Sequence, residues 1–351
     1  PLPMALVIVG TVLSVMPASF ITQHVGRRYG FMIGTLIAAL SGGAGIAAVI
    51  LQDFWLLSAS GLLFGLFSGF AQLYRFAVAD AASSEFRARA ISLVLAGGVV
   101  AGLVNPTLAS WGQALIADYL YSGVFLLMIG TAILCALVLV PLDIPKLTKS
   151  EREGAQRPLG EIVRQPVFIA AAVSATVAQC VMNFLMTATP IAMVGICGHS
   201  FGSMANVIGW HTVAMFAPGF ITGNLIRRFG EVRMIFAGLV LEGACIVIAL
   251  MGVEVMNFWL AMFLLGVGWN FTFTAATSLM TTAYTPAERA KTQGMMNQII
   301  YLFVMVGALS SGAFVHYFGW DWINIGAAPL LLVAAGVTAW YAAGRRRPAA
   351  A

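Results

Sequence analysis

Long apolar runs, separated by short polar turns, fill almost the whole chain. Division at the charged or turn-rich breaks gives eleven runs, each close to the about 20 residues that an α-helix needs to cross a bilayer. They cover roughly 2–22, 31–51, 54–79, 90–112, 121–141, 167–193, 204–226, 234–253, 257–283, 294–318 and 322–343. Such runs are too long and too uniformly apolar for the strands of a membrane barrel. The sequence therefore predicts an all-α integral membrane protein.

Composition supports this assignment and argues against other classes. Of the 351 residues, 60% are hydrophobic and only 9% are charged, against about 25% charged in soluble domains. A soluble core could not enclose this much apolar surface, so the lipid bilayer is the expected surrounding. The net charge of +5 does not indicate a nucleic-acid partner, because the basic residues lie in short turns rather than on one soluble face.

The basic residues also predict the orientation of the chain. All but one of the 18 Lys and Arg residues lie in alternate connections or in the C-terminal tail. By the positive-inside rule these segments are cytoplasmic. We therefore expect the chain to lie in a plasma (inner) membrane with its C-terminus on the cytoplasmic side. Eleven spans then put Pro1 outside, so a six-plus-six architecture would need one more helix before Pro1. We expect that this first helix is missing from the chain.

Two stretches 200 residues apart indicate an internal duplication. Phe20–Gly30 and Phe220–Gly230 both begin with Phe-Ile-Thr and end with Arg-Arg, an aromatic residue and Gly. A fixed-period echo between apolar runs is typical of transporters built from two similar halves. The predicted divisions are an N-terminal half (1–141), a cytoplasmic linker (142–166) and a C-terminal half (167–351). The linker is either a hinge strap or a passive connection.

The run Ser19–Arg28 resembles the signature G-x-L-x-D-R-x-G-R-R of the major facilitator superfamily, found in the loop after its second helix. Gly26, Arg27 and Arg28 fit, whereas Gln23 replaces the acid. In the second half Gly223, Leu225, Arg228 and Gly230 fit the signature, which offsets the halves by about 204 residues. The resemblance covers nearly the whole chain. It implies two pseudo-symmetric six-helix bundles and a secondary transporter that works by alternating access.

The resemblance also implies a set of residues that stabilise one conformation on the cytoplasmic side. Asp80 resembles a member of the family's charge cluster, and Arg87 lies in a basic turn like that after the family's fourth helix. The implied conformational switch consists of Gly26, Arg27, Arg28, Asp80, Arg87 and Gly230. Within the family, 183–201 and 209–211 look like a bacterial branch that includes riboflavin importers. This implies a planar, hydrogen-bonding small organic solute, or another drug-like one.

Arg75 is the one basic residue outside the cytoplasmic connections, about one helical turn from Asp80 and near Gln72 and Tyr74. Polar side chains in the apolar layer are costly and tend to face a cavity or another helix. Arg75 would hold an anionic or carbonyl-rich solute. Alternatively, it is a structural residue that reaches to the cytoplasmic interface.

Polar residues recur at helical spacing in two spans that, in the family, line the central cavity. They are Thr176, Gln179, Asn183 and Thr187 in the 167–193 span, and Asn270, Thr274, Thr277, Ser278 and Thr281 in the 257–283 span. We expect these residues to line the cavity, although hydrogen bonding between helices is the alternative.

Aromatic residues beside these polar positions could stack on a planar ring. Trp269 adjoins Asn270, and Trp210 precedes His211, which would either donate a hydrogen bond to the solute or pack in the interior. Gln298, with Asn297 and Tyr301, would gate the cytoplasmic end or serve in packing.

Two further features concern coupling and packing. Glu242 is a candidate proton carrier, but a structural pairing is the favoured interpretation because the family's ninth helix is peripheral. Gly61, Gly65 and Gly69 form a GxxxG stripe, which predicts close helix approach.

No phosphate loop, catalytic triad pattern or metal-ligand spacing is present, so the chain is not expected to be an enzyme or to hold a cofactor or metal. The expected partners are the bilayer, a small solute and, where transport is coupled, a proton or other ion. The alternative function is a non-transporting membrane sensor or scaffold with a transporter fold.

Overall fold

The computed structural model describes residues 2–141 and 156–346, and within these residues all regular structure is helical. The helices of the first part of the chain are α1 (Leu2–Val25), α2 (Arg27–Leu51), α3 (Phe54–Ala71), α4 (Tyr74–Ala81), α5 (Arg87–Ala96), α6 (Gly98–Ala114) and α7 (Ser122–Leu139). The later helices are α8 (Leu159–Val163), α9 (Pro166–Pro190), α10 (Phe201–Phe216), α11 (Gly219–Phe229), α12 (Glu231–Leu250), α13 (Val255–Met280) and α14 (Arg289–Arg346). The all-α prediction is confirmed.

Two short elements and one interruption complete the path. A π-helical turn (Ile191–Ile196) extends α9, and a 3₁₀ turn (Pro286–Glu288) precedes α14. α14 leaves helical geometry at Gly319, where φ is 83°. The predicted spans 294–318 and 322–343 therefore lie on either side of this residue.

Ten of the described helical segments are long and apolar enough to cross a membrane. The predicted span at 204–226 is helical, but it divides into α10 and α11 at Pro218. Proline lacks the N–H that would continue the hydrogen-bond ladder. Each of the two pieces is then shorter than a full span, which explains why ten segments qualify where the sequence predicts eleven.

The described residues pack into two compact units. The first unit comprises Pro1–Ala77, Leu103–Arg157 and Thr285–Met305, and the second comprises Val78–Gly102, Pro158–Tyr284 and Val306–Ala351, as far as these ranges are described. Each packing unit contains segments of both predicted halves, 1–141 and 167–351. The division into halves stays a prediction, because contacts between helices do not test whether the sequence is duplicated. Most of the predicted linker, 142–155, lies outside the described residues.

Close helix approach organises the first unit. A Cβ atom at Gly65 would lie 2.1 Å from the carbonyl oxygen of Val7, and one at Gly61 would lie 2.4 Å from that of Pro3. Side chains at these positions would push α1 and α3 apart. The predicted role of the GxxxG stripe in helix packing is therefore confirmed.

In the second unit α13 is the central helix, and it packs against α9, α10 and α12. α11 packs against α5 in the same unit. A Cβ atom at Gly223 would lie 2.4 Å from the Cα atom of Arg89, so these two helices are in backbone contact there. The helices that carry the predicted polar residues are thus held by several neighbours.

Backbone geometry decides how the two signature loops correspond. Gly26 (φ 91°, ψ 151°) and Gly230 (φ 84°, ψ 157°) each separate two helices in nearly the same conformation. Gly30, which the 200-residue echo pairs with Gly230, lies inside α2 instead. The structure therefore supports the 204-residue offset, which pairs Gly26 with Gly230. The 200-residue offset pairs positions that differ in backbone conformation.

Candidate functional site

Arg75 forms the centre of a polar cluster in the first unit. The break between α3 and α4 at Gln72 and Leu73 turns the chain, so that Gln72 lies beside the first turn of α4. Arg75 is only 3% exposed. Its Nη1 donates to Gln72 Oε1 at 2.9 Å, and its Nη2 donates to Asn297 Oδ1 at 2.5 Å. Its guanidinium also lies 4.8 Å from the ring centre of Phe76.

The geometry makes Asn297, rather than Gln298, the partner of Arg75. Asn297 is fully buried, and its Nδ2 has no hydrogen-bond partner among the described residues. Gln298 is half-buried beside it. The guanidinium and the free amide N–H group are hydrogen-bond donors, which suits carbonyl or anionic groups of a solute.

Tyr74 lies apart from this cluster. Its ring packs edge-on against Phe31 of α2 at 4.6 Å, and its hydroxyl lies beside Cys135 of α7. The structure therefore places Tyr74 in packing between helices of the first unit.

A second polar cluster lies in the second unit, between α9 and α13. Trp269 Nε1 donates to Gln179 Oε1 at 2.9 Å, and Asn183 Nδ2 donates to the main-chain oxygen of Gln179 at 2.9 Å. The Trp269 ring stacks on Phe273 at 5.0 Å and meets Phe216 edge-on at 5.9 Å. Amide groups and stacked rings together suit a planar solute that carries polar edges. Asn183 is half-buried, and Thr187 is exposed on the turn beyond it.

Asn270 joins three helices. Its Oδ1 accepts from Thr222 Oγ1 at 2.7 Å, and its Nδ2 donates to the main-chain oxygen of Met215 at 2.7 Å. Both bonds lie at the α10–α11 break, where Pro218 interrupts the helical ladder. The side chain thus forms the interhelical hydrogen bonds that were the alternative to cavity lining. Thr274 is fully buried, and its hydroxyl has no partner among the described residues.

His211 and Trp210 point in different directions. His211 is fully buried, and its Nδ1 lies 2.6 Å from the main-chain oxygen of Met262, to which it donates. Trp210 is 47% exposed and lies 6.0 Å from the ring of Trp259. Among the described residues, the hydrogen bond of His211 and the ring contact of Trp210 are with residues other than Gln179 and Trp269, so the geometry favours packing for His211 and a peripheral position for Trp210.

The predicted switch residues take part in contacts at the turns. Arg27 is buried and donates from Nη1 to the main-chain oxygen of Leu73 at 3.4 Å and from Nη2 to Gln293 Oε1 at 3.1 Å. Asp80 accepts from the Tyr284 hydroxyl at 3.3 Å. Arg87 Nε donates to the main-chain oxygen of Ala79 at 3.2 Å.

One face of α14 carries contacts that the sequence analysis missed. Ala290, Gln293 and Asn297 recur at spacings of three and four, and they accept hydrogen bonds from Ser19, Arg27 and Arg75 respectively. Gly294 lies on the same seam, where a Cβ atom would be 2.7 Å from Met16 Sδ. The spacing of these polar and small residues is the signal that could have revealed the seam.

Comparable contacts join α5 and α11 in the second unit. Ser92 Oγ donates to the main-chain oxygen of Gly219 and accepts from the main-chain N–H of Gly223 at 3.0 Å. Each of these two seams joins a segment of the predicted N-terminal half to a segment of the predicted C-terminal half. Each seam lies inside one packing unit.

Comparisons with known proteins agree with this architecture. The sequence profile of the Major Facilitator Superfamily matches residues 2–196 and 171–351. The chain is 41% identical over 325 residues to the riboflavin transporter RfnT of Brucella anthropi, with 92% of this chain and 81% of that protein covered. It is 30% identical to the uncharacterized MFS-type transporter YddS of Bacillus subtilis, with 97% and 82% covered.

Solved structures show the same fold at low sequence identity. The human organic anion transporter MFSD10 superposes with a TM-score of 0.77 at 16% identity, covering 96% of this chain and 83% of that one. The Escherichia coli fucose:proton symporter FucP superposes with a TM-score of 0.76 at 14% identity, covering 99% and 91%. The chain belongs to the major facilitator superfamily and is a multi-pass membrane transporter.

Proposed function

We propose that the chain is a secondary transporter for riboflavin or a closely similar planar, hydrogen-bonding solute, in a plasma (inner) membrane with its C-terminus cytoplasmic. The 41% identity to a riboflavin transporter over most of the chain carries this proposal. The polar clusters supply compatible chemistry. Gln179 and Asn183 offer amide groups beside the stacked Trp269 ring, and Arg75 with Asn297 offers donors for carbonyl oxygens.

In the proposed alternating-access cycle, the two seams hold segments of the predicted N-terminal and C-terminal halves together. The α14 seam is held by Ser19, Arg27 and Arg75, and the α5–α11 seam is held by Ser92. Opening toward the cytoplasm would require both seams to separate and to re-form in each cycle.

Uptake of radiolabelled riboflavin by a riboflavin-auxotrophic bacterium tests the proposal. We expect Gln179→Ala and Arg75→Ala each to lower uptake at least about tenfold, since each removes hydrogen bonds worth more than about 1.4 kcal/mol when charged or buried. Asn183→Ala should lower uptake by a smaller factor.

Thr131→Ala is the matched control, because Thr131 is exposed on α7 and, among the described residues, its hydroxyl donates within its own helix, to the main-chain oxygen of Met128. All variants are compared at equal membrane abundance. Absence of riboflavin uptake by the unmodified chain would refute the substrate. Wild-type uptake in both the Gln179 and Arg75 variants would show that the solute binds elsewhere in the chain.

We propose further that a proton accompanies the solute, with Glu242 as its carrier. Glu242 is fully buried against Gly268 and Thr272 of α13, and its carboxylate forms no ion pair with the described residues. The Thr272 side chain lies beside this carboxylate, and a structural pairing of the two residues is the alternative to the carrier role. In the same assay, Glu242→Gln should remove the dependence of uptake on an imposed proton gradient. An unchanged dependence would exclude Glu242 as the carrier.

A further inference from the structure

The outer surface of the first unit contains an apolar groove between α2 and α7. Its volume is about 650 Å³, within the range of about 300–1,000 Å³ that is typical of small-molecule sites. The residues that define it include Tyr29, Met32, Leu36, Ala132, Ile133 and Ala136. Leu36 is 60% exposed and Ile133 is 52% exposed, so the groove opens to the surroundings of the helices.

The sequence of α2 explains where the groove lies. Near the C-terminal end of α2, a Cβ atom at Gly45 would lie 2.2 Å from the Phe125 ring, and one at Gly42 would lie 2.5 Å from Ile129. The two helices therefore touch closely at this end. The groove occupies the other end, toward the N-terminus of α2, which the positive-inside pattern places at the cytoplasmic surface.

A positively charged side chain lies beside that end of the groove, next to the lining residue Tyr29. Arg28 is in the first turn of α2 and shares one helical face with Met32, Thr35 and Ala39, at spacings of four, three and four. Its Nε is buried and has no hydrogen-bond partner among the residues that the structure describes. Its guanidinium carbon lies 5.7 Å from the ring centre of Tyr29, at the edge of the groove.

We propose that this groove is a binding site for an anionic phospholipid of the cytoplasmic leaflet. The lipid phosphate contacts Arg28, and an acyl chain lies along α2 and α7 over Met32, Leu36 and Ala132. Three observations support this occupant over a protein. The groove lies on two helices long and apolar enough to cross a membrane and opens outward at Leu36 and Ile133. Its walls are apolar. The Arg28 charge beside its end, next to Tyr29, matches the anionic lipids that concentrate at the cytoplasmic surface.

Arg228 supplies a matched control for the charge. It lies in the same Arg-Arg-aromatic-Gly sequence, but it is exposed near the end of α11 in the second unit. Its guanidinium carbon contacts the Phe229 ring at 5.3 Å, much as Arg28 contacts Tyr29. Replacing either arginine by glutamine removes one charge from a turn predicted to be cytoplasmic, but only Arg28 adjoins the groove, through its contact with Tyr29.

The test is native mass spectrometry of the chain released from nanodiscs of phosphatidylcholine containing about one third phosphatidylglycerol. The unmodified chain should retain phosphatidylglycerol in preference to phosphatidylcholine. Arg28→Gln should weaken retention about tenfold, the factor for one charge-assisted hydrogen bond. Ala136→Leu, which fills the groove, should weaken it without removing a charge. Arg228→Gln should retain lipid like the unmodified chain.

Equal retention of the two lipids by the unmodified chain would overturn the proposal. Equal loss of phosphatidylglycerol retention in the Arg28 and Arg228 variants would also overturn it, because retention would then depend on general surface charge and not on this groove. Thermal unfolding with and without phosphatidylglycerol provides a second measurement. The lipid should raise the unfolding temperature of the unmodified chain and of Arg228→Gln, but not that of Arg28→Gln.

Discussion

At the scale of single residues, neighbouring polar positions have different roles because successive side chains on a helix point about 100° apart. Asn297 accepts a hydrogen bond from Arg75, whereas its neighbour Gln298 does not. His211 is fully buried, whereas Trp210 is 47% exposed. The sequence identifies a polar stretch, but the partner of each side chain depends on how the helix is rotated in the packed unit.

This distinction predicts different effects of two adjacent substitutions. Asn297→Ala removes the acceptor of a buried charged hydrogen bond and should cost about 1–3 kcal/mol of stability. Gln298→Ala should change stability by less, about 0.5 kcal/mol, because Gln298 is half-buried and does not bond to Arg75. Thermal unfolding of the purified variants measures both. A larger loss in the Gln298 variant would contradict the assigned partner.

At the scale of helices, small residues determine which helices touch. Gly61, Gly65 and Gly69 bring α3 against α1, and Gly42 with Gly45 bring α2 against α7. The stripe on α3 is visible in the sequence because its spacing of four is regular. Which helix it meets is decided only when the chain has folded, since any apolar neighbour could approach such a face.

Gly65 tests the contact between α1 and α3. Because a Cβ atom there would lie 2.1 Å from a main-chain oxygen, Gly65→Val should force the helices apart and strongly reduce the yield of monodisperse protein. Gly130→Val in α7 is the control, since a Cβ atom at Gly130 meets nothing within 4 Å. Size-exclusion chromatography of both variants gives the result. Similar yields would show that the close approach is not required.

At the scale of the whole molecule, the end of the predicted linker is joined to the start of α14 within the first unit. Arg157 donates from Nε to Glu288 Oε1 at 2.8 Å and from Nη2 to Oε2 at 2.5 Å. Lys291 Nζ donates to the main-chain oxygen of Arg157 and to Gln156 Oε1. Glu288 is fully buried, and it also accepts from the main-chain N–H of Thr285. These contacts attach residues 156 and 157 to the start of α14, and the hinge-strap and passive interpretations of the linker both stay predictions.

Removal of this ion pair should affect the transport cycle as well as stability. Arg157→Ala leaves a buried carboxylate without its arginine, so it should lower the unfolding temperature and change the rate of uptake of the proposed solute. Arg164→Ala is the control, because Arg164 is an exposed basic residue of the same linker. The combined Arg157→Ala and Glu288→Gln variant should recover much of the lost stability, because no buried charge then remains. Additive losses in the double variant would contradict direct coupling of the two residues.

The sequence by itself determined the all-helical membrane class, the approximate spans and the family, and it predicts the orientation. These properties depend on local hydrophobicity and on basic turns, because a bilayer requires helices of a set length and biases the side on which Arg and Lys reside. The tertiary structure decided which polar groups meet. It paired Arg75 with Asn297, placed Asn270 at the Pro218 break, and aligned Gly26 with Gly230 rather than Gly30 with Gly230. Such pairings depend on helix rotation and on close contacts between segments distant in sequence, which no local pattern records.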